Sequence, residues 1–153
     1  MNELAFALVV WISSVTGYPV PSTADLPEIM QMTSAELKVK VMGANAEKSD
    51  YEILGGYDVK ENKLYLSTSF NPQNIRSQSD LVHELVHFLQ VRNRTRQPLC
   101  DNGDEAEAYT VENQWMKEHG LPPAVPEQHI VLMSLCNVDS VDDAVAILKS
   151  EMR

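Results

Sequence analysis

Apolar residues recur along this chain with two different periods. From Ile75 or Ser77 through Val91, the residues Leu81, Val82, Leu85, Val86, Phe88 and Leu89 fall three and four apart, which predicts an amphipathic α-helix. Leu4 to Ile12 is apolar nearly throughout and predicts a buried helix ending near Thr16-Gly17, with Gly17 as the stop and Pro19 just beyond. Pro19, Pro21 and Pro27 then make Tyr18 to Pro27 an irregular or extended crossing. Ile29 to Val41 admits two readings. Thr33-Ser34-Ala35-Glu36 caps a short helix, or Leu37-Lys38-Val39-Lys40-Val41 alternates as a strand. Two β-prone runs, Ile53 to Tyr57 and Lys63 to Ser67, flank Val59-Lys60-Glu61-Asn62 and predict a hairpin.

Beyond residue 91, Asp101-Asn102-Gly103-Asp104 reads as a loop and N-cap opening a helix from Glu105 to about Lys117, which Gly120-Leu121-Pro122-Pro123 ends. His129 to Met133 and Val141 to Leu148 are two further helical pieces. The pattern predicts a single α+β domain over residues 1–153, mostly helical, with a small antiparallel hairpin packed on the helix at 75–91.

The formal net charge of -10 argues against a nucleic-acid partner, which needs a basic face. Leu4 to Ile12 is too short to cross a bilayer, and Met1-Asn2-Glu3 before it is acidic where an export signal is basic. No membrane association is expected, and a soluble, cytoplasmic location is favoured over export. Cys100 and Cys136 stand in no metal-ligand spacing. In an exported protein they could pair, and in the cytosol they would stay reduced.

Candidate chemistry concentrates in His83-Glu84-Leu85-Val86-His87, inside the apolar helix. Residues four apart share a helix face, so both imidazoles can reach one ion, and Glu84 projects beside them as a base for a water activated there. The chain has only four histidines, and two of them fall at this spacing. A catalytic zinc site keeps three protein ligands and one open position. No HExxHxxGxxH extension follows, so a carboxylate from the next helix is the natural completion. Glu105 and Glu107 are the candidates; two apart, they point roughly 200° apart around a helix, and only one can face the metal. Ala106 and Ala108 permit close approach of the two helices under either choice.

The segment Glu105-Ala106-Glu107-Ala108-Tyr109 resembles the E-x-E-A-D and E-x-E-A-N segments of the HtpX-like and ImmA/IrrE-like gluzincins. With the HExxH helix and the hairpin, the resemblance covers roughly residues 50 to 118, and the motifs look most like those of a family of small bacterial proteins of unassigned function. It implies a zincin-like fold, one Zn2+ per chain held by His83, His87 and Glu105, and Glu84 as the catalytic base. By its separation from His87, Glu107 competes with Glu105, as in thermolysin-like enzymes. Tyr109 stands where those families have Asp or Asn to orient a histidine ligand, and Asp80 where zincins usually have Val or Thr. The resemblance further implies that the strand before the motif helix, Lys63 to Ser67, is the edge along which a substrate peptide pairs.

The implied activity is that of a zinc metalloendopeptidase acting on a peptide or protein. Glu84 takes a proton from the attacking water and delivers it to the leaving amine. Tyr65, Tyr109 and His129 are the candidates for stabilising the oxyanion. Arg92, Arg94 and Arg96 complement the negative end of the motif helix, with a grip on a substrate carboxylate as the alternative. Two rival readings stand beside the peptidase: a zinc-binding scaffold with little turnover, and a latent enzyme whose Tyr18 to Pro27 segment blocks its own cleft.

Overall fold

The computed structural model describes residues 1–48, 52–93 and 101–135. Its elements run α1 (Asn2–Thr16), β1 (Glu28–Met32), α2 (Ser34–Met42), β2 (Gly55–Asp58), β3 (Lys63–Ser67), α3 (Ile75–Arg92), α4 (Asp101–Glu118) and α5 (Glu127–Met133), with short 3-10 turns at Thr23–Asp25 and Gly43–Lys48. The protein is therefore α+β and mostly helical, as its apolar pattern predicts. Cys100, Cys136, Arg94, Arg96 and the Val141 to Leu148 segment lie outside the described residues.

Local signals set most of the element ends. Gly17 closes α1 in the left-handed conformation at φ 81°, returning its N–H to the Ser13 carbonyl. Asn74 caps α3 by accepting from the Ser77 N–H. Thr33 and Glu36 form a complete capping box, so the ambiguous segment resolves into a strand followed by a helix, and the strand reading of Leu37 to Val41 is set aside. At α4 the prediction needs correction. The helix begins at Asp101, so the stretch read as a loop is its first turn.

The sheet order is β1-β3-β2. β2 and β3 form the predicted antiparallel hairpin, and β1 adds to the far side of β3 in parallel, Glu28 opposite Lys63 through Met32 opposite Ser67. Lys63 to Ser67 is therefore the central strand and cannot be the free edge. The edges are β1 and β2, each of which pairs with no strand but β3 among the described residues.

A central strand meets protein on both faces, and Leu64, Tyr65 and Leu66 are all buried. Leu64 and Leu66 join the main core with Ala5, Leu8, Val9 and Ile12 of α1 and Leu81, Val82, Leu85, Val86, Phe88 and Leu89 of α3. Helix α2 covers the opposite face through fully buried Leu37, where the Lys40 ammonium lies 4.6 Å from the Tyr65 ring centroid. Val111, Trp115 and Met116 bring α4 onto the same core, and Trp11 of α1 meets Trp115 edge to face at 5.0 Å. Among the described residues no helix is long and apolar enough to cross a membrane.

Candidate metal centre

Helices α3 and α4 run antiparallel. Ser79, near the start of α3, bonds Glu112 late in α4, and Gln90, near the end of α3, bonds the Asp104 carbonyl early in α4. Each helix offers the other a polar stripe of period i, i+4, i+7: His83, His87 and Gln90 on one, Glu105, Tyr109 and Glu112 on the other. Buried Ala106 and Ala108 keep the two backbones close.

Where the stripes meet, three ligand atoms converge. His83 Nε2 and His87 Nε2 are 3.2 Å apart, and the Glu105 carboxylate reaches His83 Nε2 at 3.2 Å and His87 Nε2 at 3.1 Å. Together His83, His87 and Glu105 can hold a metal ion. Glu107 points elsewhere. Its carboxylate accepts from the Gln90 amide at 3.2 Å and from the Tyr18 hydroxyl at 3.0 Å, so it is tied into the structure rather than an idle solvent-facing carboxylate.

The far side of each imidazole decides its tautomer. His83 Nδ1 lies 3.1 Å from Glu112, whose carboxylate can only accept, so Nδ1 carries a proton toward it. His87 Nδ1 lies 2.8 Å from the Gln90 carbonyl oxygen, since the Gln90 amide nitrogen is turned toward Asp104 and Glu107. Both Nε2 atoms thus face Glu105, and three acceptors crowd one point. Something positive must sit between them: a proton or a cation. Burial alone would lower the His83 pKa, but hydrogen bonds to Glu105 and Glu112 and the charge of Glu84 outweigh it and push it up to about 10. His87 also rises against its burial, chiefly through Glu105. Glu105, though partly desolvated, is held well below the usual carboxylate range by its bonds to the two histidines. Without a cation the cluster retains protons, and a metal must displace them to bind.

Glu84 lies beside the ligands, enclosed enough that burial raises its pKa despite the two imidazoles. Gly55 of β2 closes over it. A Cβ built there would stand 2.9 Å from Glu84 Cγ and 3.1 Å from its Oε1, so only glycine lets the edge strand approach this far. Two cavities open from this point and share Gly55, His83 and Glu84. One, of about 730 Å3, follows β2 past Tyr57 and Asp58 toward Lys40, Gln90 and Asp104. The other, of about 590 Å3, passes Asp80 and Tyr109 toward Glu52, Arg76 and Val125. Asp80 is half-buried, and burial and the charge of Glu112 push its pKa up to about 7.

Tyr109 does not orient a histidine ligand by a hydrogen bond among the described residues. Its ring packs 4.5 Å from that of His83, and Glu112, one turn further on, supplies the orienting carboxylate. Glu112, Gln90 and Gly55 have no place in the motif reading. The matching stripes on the two helices and the Gly55-Gly56 pair within a β-prone run are the signals that mark them. Arg92 pairs with Asp25 at 2.7 Å on the surface, and no residue from 18 to 27 lines either cavity.

Fold and centre define an α+β protein with a two-histidine, one-carboxylate site able to hold a metal ion. Over residues 1–143 the chain matches the family model described as "Domain of unknown function (DUF6647)", and it belongs to that family. No curated protein and no solved structure matches it.

Proposed function

We propose that the chain is a zinc-dependent metalloendopeptidase of gluzincin type. The observation that carries this reading is the placement of Glu84 beside three converging ligand atoms, on the floor of a cleft that continues past it in both directions. The donor set suits zinc: ligand bonds of about 2.0 Å at tetrahedral angles put neighbouring ligand atoms about 3.3 Å apart. The two imidazole Nε2 atoms are 3.2 Å apart here, and the Glu105 carboxylate turns one oxygen to each of them, at 3.2 Å from His83 and 3.1 Å from His87. Zinc held there supplies a Lewis acid that polarises a carbonyl and lowers the pKa of a water.

The chain's own residues do the rest. Glu84 accepts the proton of the attacking water and passes it to the leaving amine. The free edge of β2 offers main-chain hydrogen bonds to an extended peptide, with little demand on its sequence. A cleft open on both sides of Glu84 favours internal bonds over chain ends. Of the three candidates for the oxyanion, Tyr109 has the best position. It lines the second cavity with Glu84, and its hydroxyl makes no hydrogen bond among the described residues. Tyr65 bonds Glu61, and His129 is exposed on α5. Hydrogen-bond donors aimed at a developing oxyanion contribute heavily to such reactions.

The test is Glu84→Gln assayed on a library of unstructured peptides. Zinc content should stay at about one per chain while hydrolysis falls by about 10²–10⁴-fold. Zinc retained by the wild-type chain without turnover on any peptide would instead favour the scaffold or the latent enzyme.

A further inference from the structure

The hydrogen bonds behind His87 run well beyond the metal centre. His87 Nδ1 donates to the Gln90 carbonyl oxygen at 2.8 Å. The Gln90 amide donates to the Asp104 carbonyl at 2.9 Å and to Glu107 at 3.2 Å, and the same Glu107 oxygen accepts from Tyr18 at 3.0 Å. Tyr18 immediately follows the left-handed Gly17 that closes α1, and its ring packs on the core. Every link has a forced direction. Glu107 can only accept, so the Gln90 amide nitrogen faces it; the Gln90 oxygen then faces His87 and can only accept as well. Reversing Gln90 would put its oxygen against both the Asp104 carbonyl and Glu107.

We propose that Gln90, Glu107 and Tyr18 form a positioning chain that holds His87 in its metal-binding tautomer, making the segment after α1 part of the metal centre. Glu107 is on this view no spare ligand but the anchor of the chain, and the N-terminal helix contributes to metal retention without touching the ion. The proposal rests on the zinc reading of His83, His87 and Glu105, and its experiment separates the two.

Zinc affinity is measured by competition with a chromophoric chelator for the wild type, Gln90→Leu, Glu107→Ala, Glu107→Gln and Tyr18→Phe, alongside the visible spectrum of each cobalt-loaded protein. Partners of metal-bound histidines typically contribute about 10–100-fold to affinity. Gln90→Leu and Glu107→Ala should weaken zinc by about tenfold or more on that scale and alter the cobalt spectrum. Glu107→Gln keeps an acceptor for both donors and should restore affinity to near the wild-type value. Tyr18→Phe removes one oxygen from a residue that otherwise packs unchanged, and should weaken zinc a few-fold. A wild-type affinity and spectrum in Gln90→Leu, Glu107→Ala and Tyr18→Phe overturns the positioning chain and leaves the metal centre standing. A wild-type chain that binds no zinc overturns both.

Discussion

His83 and His87 stand one turn apart on α3, and the molecule secures them by unlike means. On the His83 side the support is short, charged and buried: Glu112, only 5% exposed, accepts from the ring at 3.1 Å and from Ser79 at 2.9 Å. On the His87 side it is neutral at the ring and long, passing through Gln90 and Glu107 to the far end of α1. A carboxylate against an imidazole N–H is the stronger partner, but it adds negative charge to a centre that already holds Glu84 and Glu105. An amide fixes the tautomer without that charge. One anionic and one neutral support let the ligands be held firmly while the cluster of carboxylates stays small.

The largest test of this contrast removes the ligands themselves. His83→Ala or His87→Ala should reduce zinc from about one per chain to none, read by elemental analysis after gel filtration, since three protein ligands are needed for a stable site. Next comes the His83 support: Glu112→Ala should weaken zinc by up to about 100-fold, more than Gln90→Leu does, because it deletes a charged acceptor. The reverse order in chelator competition would break the comparison. Gly55→Ala lies outside both supports and should leave zinc affinity unchanged while displacing Glu84; a shift of about 1 Å can cost about 100-fold in turnover, measured as kcat on a peptide that the wild type cleaves. The smallest effect belongs to α2. Thr33→Ala removes its capping box at a cost of about 1 kcal/mol in urea denaturation, with zinc affinity untouched.

Much of the local structure is legible in the residues. The apolar run of α1, the apolar period of α3, the Gly17 stop and the Thr33/Glu36 box each act within a few residues, so local pattern is enough to find them. The paired spacing of His83 and His87 is legible for the same reason, because helix geometry alone puts them on one face. The start of α4 is less so: Asp101-Asn102-Gly103-Asp104 carries loop-prone residues, yet it is the helix's first turn.

Pairings between distant segments are another matter. Whether Lys63 to Ser67 is an edge or a centre depends on β1 arriving some thirty residues away in sequence, and nothing within that run announces it. Gly55 looks like a weak point in a strand until Glu84 is seen beneath it. Glu105 and Glu107 make the sharpest case. Sequence by itself established that one helix would carry both and that only one could face the histidines. The choice between them fell to the way α4 docks on α3, with Ala106 and Ala108 against the core and Glu112 against His83. Spacing along a helix determines which residues share a face. The direction of that face is set by packing against the rest of the molecule, and only the tertiary structure turns Glu105 toward the histidines and Glu107 toward Gln90 and Tyr18.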